Sequence, residues 1–323
     1  VPATDGSKKV TLPANLPTNA AYKIKVTNEL NNTGLESAVF EAIAVVNNLA
    51  TLRAVPAGVK VKFAGVATVT YTQAYRNQKF IQDGTAAIVI DDPTTAPGYV
   101  SGYNIGDGIT NITGKIVIFS QLVEFTPYET TGEHTTGSVI TPEVRTLESL
   151  TAADQSKLIK IENFAFKNPA EFDAAGKFVK GKNYEIDGIA KAGMAFRTNY
   201  YDADYITGGG YVPVGPISSI CIVGQNNAQI QITSRSWADM TIPMVADFMA
   251  DKTFVLTGEN VSFMDMSSNH PSAWEWTFEG GTPATSTEQN PVVTYAAKGT
   301  YAVTLKATNP SGVSNTVTKT DYI

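Results

Sequence analysis

Two histidines, two acidic pairs and a set of loop aromatics are the residues whose types and spacing could do chemistry in this chain. Hydrolysis needs a nucleophile beside a base, two carboxylates at a working separation, or a metal ion. His134 lies in the polar run YETTGEHTTGS and His270 in SSNHPS, and neither has a ligand spacing such as H-E-x-x-H. Both read as solvated loop tips. The G-x-S-x-G elbow and the G-x-x-x-x-G-K-[ST] phosphate loop do not occur in the sequence. Gly208-Gly209-Gly210 is a flexible turn, since no helical pattern follows it. Asp91-Asp92 ends the run IVIDDP, and Asp202 and Asp204 sit in NYYDADY. Such acids either offer oxygens to calcium or cap a turn. The D-x-D at 202 and 204 lacks the further Asp and the Gly of a calcium loop. The lone cysteine, Cys221 in ISSICIVG, reads as a small buried hydrophobe and excludes an internal disulfide or a thiolate zinc site. No catalytic set, metal or cofactor is expected, and the chain reads as a non-enzyme.

Binding is a different matter. Tyr71, Tyr75 and Phe80 bracket one hairpin, Tyr99 and Tyr103 lie in the next loop, and Phe196, Arg197, Tyr200 and Tyr201 fall in MAFRTNYYDADY. Rings on one sheet face can stack on sugars or bases, and the alternative is that they fill barrel interiors. Tyr71, Tyr75, Phe80, Arg197, Tyr200 and Tyr201 are the candidate ligand-binding residues. A nucleic-acid partner is disfavoured, because Lys and Arg number 24 against 30 Asp and Glu, for a net charge of −6. Phosphate neutralisation calls for clustered cations. The densest basic run, Lys177, Lys180 and Lys182, reads as a solvated hairpin. Glycan or protein is the better-fitting partner.

The elements that must position these residues are strands. Hydrophobic residues make up 43% and charged residues 17%, so a core is affordable, and 323 residues call for two to four domains. Thr, Val, Ile and Tyr are frequent and suit a pleated, half-buried surface. Residues 49–243 hold an approximate internal repeat. The first half reads VKVKFAGVATVTY, KFIQDGTAAIVIDD and VSGYNIGDGITNITGKIVIFSQLVEFTP. The second reads KLIKIENFAF, NYEIDGIAKAGMAFRTNYYDADY and VPVGPISSICIVGQNNAQIQITSRSW. Each half has a long first strand and a hairpin through an Asp-Gly step, at Asp83-Gly84 and Asp187-Gly188. About five strands per half suit a small closed barrel such as the OB-fold. The best helix is Leu147–Lys157, with Thr146 or Ser149 as its cap. From 244 onward, Trp274, Trp276 and Phe278 share one strand face and Tyr301, Val303, Leu305 and Ala307 another, which predicts a β-sandwich.

The order ADF, VSFMDMSS, WEWTFEGG, EQNPVVTYAAKGTYAVTLKATN resembles the PKD domain family. Asp265, Trp276, Phe278, Asn290, Pro291, Tyr295, Gly299, Tyr301, Val303 and Leu305 fall on its motif. The usual W-D-F-G-D-G is W-T-F-E-G-G here, and the usual H-x-Y is Val293-Thr294-Tyr295. The resemblance implies an immunoglobulin-like spacer or interaction module of extracellular proteins, with Trp276 in its core. LRAVPAGVKVKFAGVATV, FIQDGTAAIVI and QITSRSW resemble the tandem OB-like domains of Bacteroidetes surface and secreted proteins. AAYKIKVTNELNNTGLESAVFEAI lays over the final hairpin, so an immunoglobulin-like remnant is expected at the start.

The expected fold is all-β, with tandem OB-like small barrels followed by an immunoglobulin-like sandwich. The boundaries are 1–48 for partial immunoglobulin-like strands, 49–150 and 151–243 for the barrels, and 244–323 for the PKD domain. No apolar run approaches the ~20 residues of a membrane span. The chain opens on polar sequence, so Val1 reads as a processed or trimmed start. A secreted or bacterial cell-surface location is expected, with function as a non-catalytic binding or adhesion protein for glycan or protein. Alternatives are a spacer in a larger secreted enzyme, or single-strand nucleic-acid binding through the barrels.

Overall fold

The computed structural model describes residues 42–93, 98–128, 132–167, 172–189, 193–310 and 312–323, and before them the backbone of four short strands. These are β1 (Ala21–Tyr22), β2 (Lys25–Thr27), β3 (Gly34–Glu36) and β4 (Phe40–Glu41), paired antiparallel as β1 with β4 and β2 with β3. The rest of the expected immunoglobulin-like remnant lies outside the described residues. Two compact units follow from the contacts. The first is 1–141 with 151–158 and 224–228, and the second is 142–150, 159–223 and 229–323.

In the first unit, β5 (Ala44–Val46) leads through helix α1 (Leu49–Arg53) into β6 (Lys60–Phe63) and β7 (Ala67–Thr72). Asn48 caps α1 by accepting from Thr51 N, and Asp83 accepts from Leu49 N. Next come β8 (Lys79–Gln82), β9 (Ala87–Ile90), β10 (Asp107–Thr110), β11 (Ile112–Phe119), β12 (Leu122–Pro127) and β13 (Glu133–Thr136). The β-branched run of β6 and β7 is one bent strand. It pairs at one end with β11 and at the other with β8 and β10. The ladder continues β8–β9 antiparallel, β9–β12 parallel and β12–β11 antiparallel, so the sheet returns to the strand it left. The sheet curls on itself, with β13 and β5 at the two ends of its strand order. The Asp83-Gly84 step turns as expected, with Asp83 Oδ1 accepting from the N–H groups of Thr85 and Ala86. Val61, Phe63, Val69, Ile81, Ile88, Ile90 and Phe125 fill the interior.

The second barrel repeats this order. After β14 (Glu143–Arg145) come β15 (Leu158–Phe164), β16 (Asn183–Tyr184), β17 (Ala195–Arg197), helix α2 (Asp204–Thr207), β18 (Ile217–Asn226), β19 (Gln229–Ser234) and β20 (Met240–Thr241). β15 neighbours β18, β18 neighbours β19, β19 runs parallel to β17, and β17 pairs antiparallel with β16. The bridge Phe166–Ile186 brings the end of the first strand back to the second. In both barrels the third and fifth strands run parallel, and a short leading strand, β5 or β14, pairs parallel with the first. The helix expected over 147–157 does not form. Two single 3₁₀ turns, Leu147–Ser149 and Ala152–Asp154, stand there instead. Leu147 and Leu150 are buried and pin the first turn, while Thr151 opens the second with a capping box to Asp154.

The C-terminal strands form two four-stranded sheets with one shared core. One sheet is ordered β21 (Phe248–Ala250), β22 (Asn260–Asp265), β26 (Val292–Tyr295), β24 (Gly281–Thr282). The other is ordered β25 (Thr285–Ser286), β23 (Ala273–Phe278), β27 (Val303–Thr308), β28 (Ser314–Lys319). Trp276, Phe278, Val303, Leu305 and Ala307 are buried as their alternation requires, and Trp276 Nε1 donates to Glu288 O. Trp274 is half-buried, and its Nε1 donates to Asp265 Oδ2 at 2.8 Å. The immunoglobulin-like expectation for this segment is therefore met.

Candidate functional site

The expected ligand-binding residues divide sharply. Tyr71 and Phe80 are buried in the first barrel with ring centroids 5.9 Å apart, and Tyr200 is buried in the second unit. Arg197 is half-buried and donates to Asn183 Oδ1. Tyr75 is exposed, and Tyr201 is half-buried. Most of the other barrel aromatics are core as well. In the second barrel Phe178 packs edge-on against Phe166, Tyr184 and Tyr205, at 5.2 to 5.7 Å.

That core fixes a loop with a polar outer side. Phe178 N donates to Gly210 O and Val212 N to Gly176 O, bridging Lys177 to Tyr211. Three residues after Phe178, Gly181 N donates to Thr198 O, Lys182 N to Thr198 Oγ1, and Thr198 N returns to Lys182 O. With Phe178 sunk in the core, its neighbours face outward. Lys177 Nζ lies 5.2 Å from the ring centre of Tyr211, and Lys180 Nζ lies 4.3 Å from that of Tyr201. His270 stacks on Tyr211 at 3.8 Å and 17°. Partial burial lowers the His270 pKa, so its ring is predominantly neutral at pH 7. The backbone is held on both flanks, while the lysine side chains that cover the rings are long and displaceable. The sequence reading treated Lys177, Lys180 and Lys182 as a solvated hairpin, and did not join them to Tyr201 and Tyr211. The missing signal was register: the bridge at 177 and 211 joins positions with β16, β17 and α2 between them.

A second polar cluster lies in the first barrel. Asp91 accepts from Arg76 Nε at 2.7 Å and from Gln78 Nε2 at 2.9 Å, and a further Arg76 nitrogen closes the fork. Asp92 accepts from Val100 N and from Asn77 Nδ2. This Asp91-Asp92 pair thus holds a cation and a turn by hydrogen bonds. Beside it, burial and the Asp91 charge push the Glu124 carboxyl up to about 7, against the pull of Arg76. Among the described residues, no group of three or more His, Cys, Asp or Glu side chains is placed to hold a metal ion. Asp204 Oδ1 accepts from Trp237 N. His134 stacks on Tyr103 at 3.8 Å. The buried Cys221 thiol is pushed up to about 12, so it carries no thiolate at neutral pH.

The C-terminal motif residues converge in space. Asp265 Oδ1 accepts from Ser267 N, Asp265 Oδ2 from Trp274, and Asn290 Oδ1 accepts from Asp265 N. A family profile described as PKD domain matches residues 243–323. Residues 243–323 are a PKD domain. This domain is similar to the PKD1 domain of the Vibrio cholerae metalloprotease PrtV, at 33% identity, covering 24% of this chain and 94% of that one, with a TM-score of 0.21. It is also similar to the PKD1 domain of Vibrio anguillarum Epp, at 28% identity, covering 24% and 89%, with a TM-score of 0.21. A comparison with curated proteins finds no match. PKD domains are extracellular immunoglobulin-like domains, often in secreted proteins. Among the described residues no helix is long and apolar enough to cross a membrane. Within the second unit, the PKD domain supplies His270 to the Tyr211 stack, and its Asn269 accepts from Val214 N at 2.7 Å.

Proposed function

We propose that this chain is a non-catalytic extracellular binding protein that holds a glycan on the outer side of the second barrel, with the PKD domain bracing that surface. The observation that carries this reading is the pair of tyrosines, Tyr201 and Tyr211, each with a lysine ammonium over its ring on a backbone locked at both flanks. A displaced lysine would free a ring face for a sugar while its charge stays beside the ligand's oxygens. We read both barrels as OB-like domains, and the shared pairing order, with third and fifth strands parallel, supports this. The non-catalytic part rests on what the nucleophile and base candidates do here. Both histidines are stacked on tyrosines, Cys221 is a buried thiol, and Asp91 is tied to Arg76. A secreted or bacterial outer-surface location fits the PKD domain.

Calorimetric titration with oligosaccharides tests the reading. Tyr201→Ala and Tyr211→Ala should each weaken binding by about 1–3 kcal/mol, taking the range for ligand rings stacked on an aromatic side chain. Tyr75→Ala should leave it unchanged. Equal binding by all three variants would reject the platform. A second reading, a spacer within a larger secreted protein, is favoured by the burial of Tyr71, Phe80 and Tyr200, whose rings are closed to a ligand. It predicts no binding by the parent chain.

A further inference from the structure

Methionine is among the residue types most often buried, and this chain has six. Met194, Met240 and Met244 obey the rule. Met249, Met264 and Met266 break it together, with 47%, 53% and 52% of their surface exposed. They are also neighbours. Met249 on β21 stands directly opposite Met264 on β22 in the antiparallel register, and Met266 follows two residues on, on the same face. Met266 N donates to Asp247 O, so the ladder continues to that point. Side chains directly opposite have Cβ atoms about 5 Å apart, and diagonal pairs stay within reach of long side chains. Each methionine has three rotatable bonds ending in a polarisable thioether. Three sulfurs can therefore converge over one spot on the outer face of this PKD sheet. Soft thioether donors select Cu(I) over hard divalent cations.

We infer that Met249, Met264 and Met266 form a three-thioether site for a soft monovalent cation, Cu(I), on the outside of the PKD domain. The site shares no residue with the tyrosine–lysine surface and needs no ionised ligand. Thioethers carry no proton, so affinity should be flat between pH 5 and 8, unlike a histidine or thiolate site. Asp247, opposite Met266, keeps its carboxylate on Lys319 at 2.9 Å and flanks the site as an acceptor already engaged.

The test uses the full chain with methyl-labelled methionine and Ag(I) as a redox-inert stand-in for Cu(I). One equivalent should shift the methyl signals of Met249, Met264 and Met266 and leave those of Met194, Met240 and Met244 in place. Competition with a coloured Cu(I) chelator should show Met264→Leu weakening affinity at least about tenfold, since losing even an outer partner of a metal ligand costs that much. The triple variant M249L/M264L/M266L should abolish binding, and Cys221→Ser should not alter it. Leucine on an outward strand face preserves the sheet, which circular dichroism checks. Unmoved methyl signals would overturn the assignment. So would unchanged affinity in Met264→Leu, or loss of binding with Cys221→Ser. The methyl shifts and the single variant stand even where the triple variant is unstable.

Discussion

Glu124 shows how one buried side chain ties stability to pH. It sits on β12 with only 8% of its surface exposed, near Asp91 and Arg76. Its carboxyl titrates at about 7 in the fold against an ordinary 4.5. Between those values the folded state holds a proton that the unfolded state has released, so stability falls as pH rises through this window. The full cost of ionising Glu124 is felt above pH 7 and is absent below 4.5. Glu124→Gln, which fixes the neutral form, should raise stability at pH 8 by about 1–3 kcal/mol and leave it nearly unchanged at pH 4.5, measured by urea unfolding at both pH values. A variant that destabilises more at pH 8 than at pH 4.5 would show that the carboxyl is needed charged. The Asp91–Arg76 fork works the other way. Arg76 is half in solvent, and its hydrogen bonds to Asp91 raise the guanidinium pKa.

At the scale of elements, the turn between β23 and β24 is the sharpest constraint in the PKD domain. Gly280 has φ +66, and a Cβ there would come 2.2 Å from the Tyr301 ring. Gly280→Ala should cost about 1–3 kcal/mol from backbone strain, plus the displacement of Tyr301 from its stack on Tyr295. A thermal scan reads this as a lower PKD transition, and an unchanged transition would mean that the turn relaxes freely. The alternating strands and the Asp83-Gly84 hairpin were legible in the sequence, because alternation and turn chemistry are local. The 147–157 segment was not legible. Its pattern favours a helix, but buried Leu147 and Leu150 and the Thr151 capping box divide it into two turns. Nor could alternation say which face of a closed barrel strand is wet. Tyr71 and Phe80 therefore read as a stacking surface and proved to be buried, on the face opposite Ile81, while Lys180 and Tyr201 meet only once 181–182 and 198 are in register.

At the scale of the molecule, the first barrel and the PKD domain have separate apolar cores. Phe63 belongs to one, and Trp276 with Phe278 to the other. Phe63→Ala should cost about 3–5 kcal/mol, because a cavity replaces a fully buried ring. Calorimetry should show one transition lowered and the PKD transition unmoved; a shift of both would mean that the domains unfold as one. The whole chain is acidic, so an anionic ligand held mainly by charge would contend with a net −6. The most direct measurement is a thermal-shift panel of host and plant oligosaccharides and short DNA and RNA oligomers, at low and high salt. A glycan held at 100 times its Kd should stabilise the protein by about 2.7 kcal/mol, with little change between salts and a clearly smaller effect in Tyr211→Ala. Stabilisation by DNA or RNA that collapses at high salt, or a flat panel from a well-folded protein, would contradict the glycan-binding account.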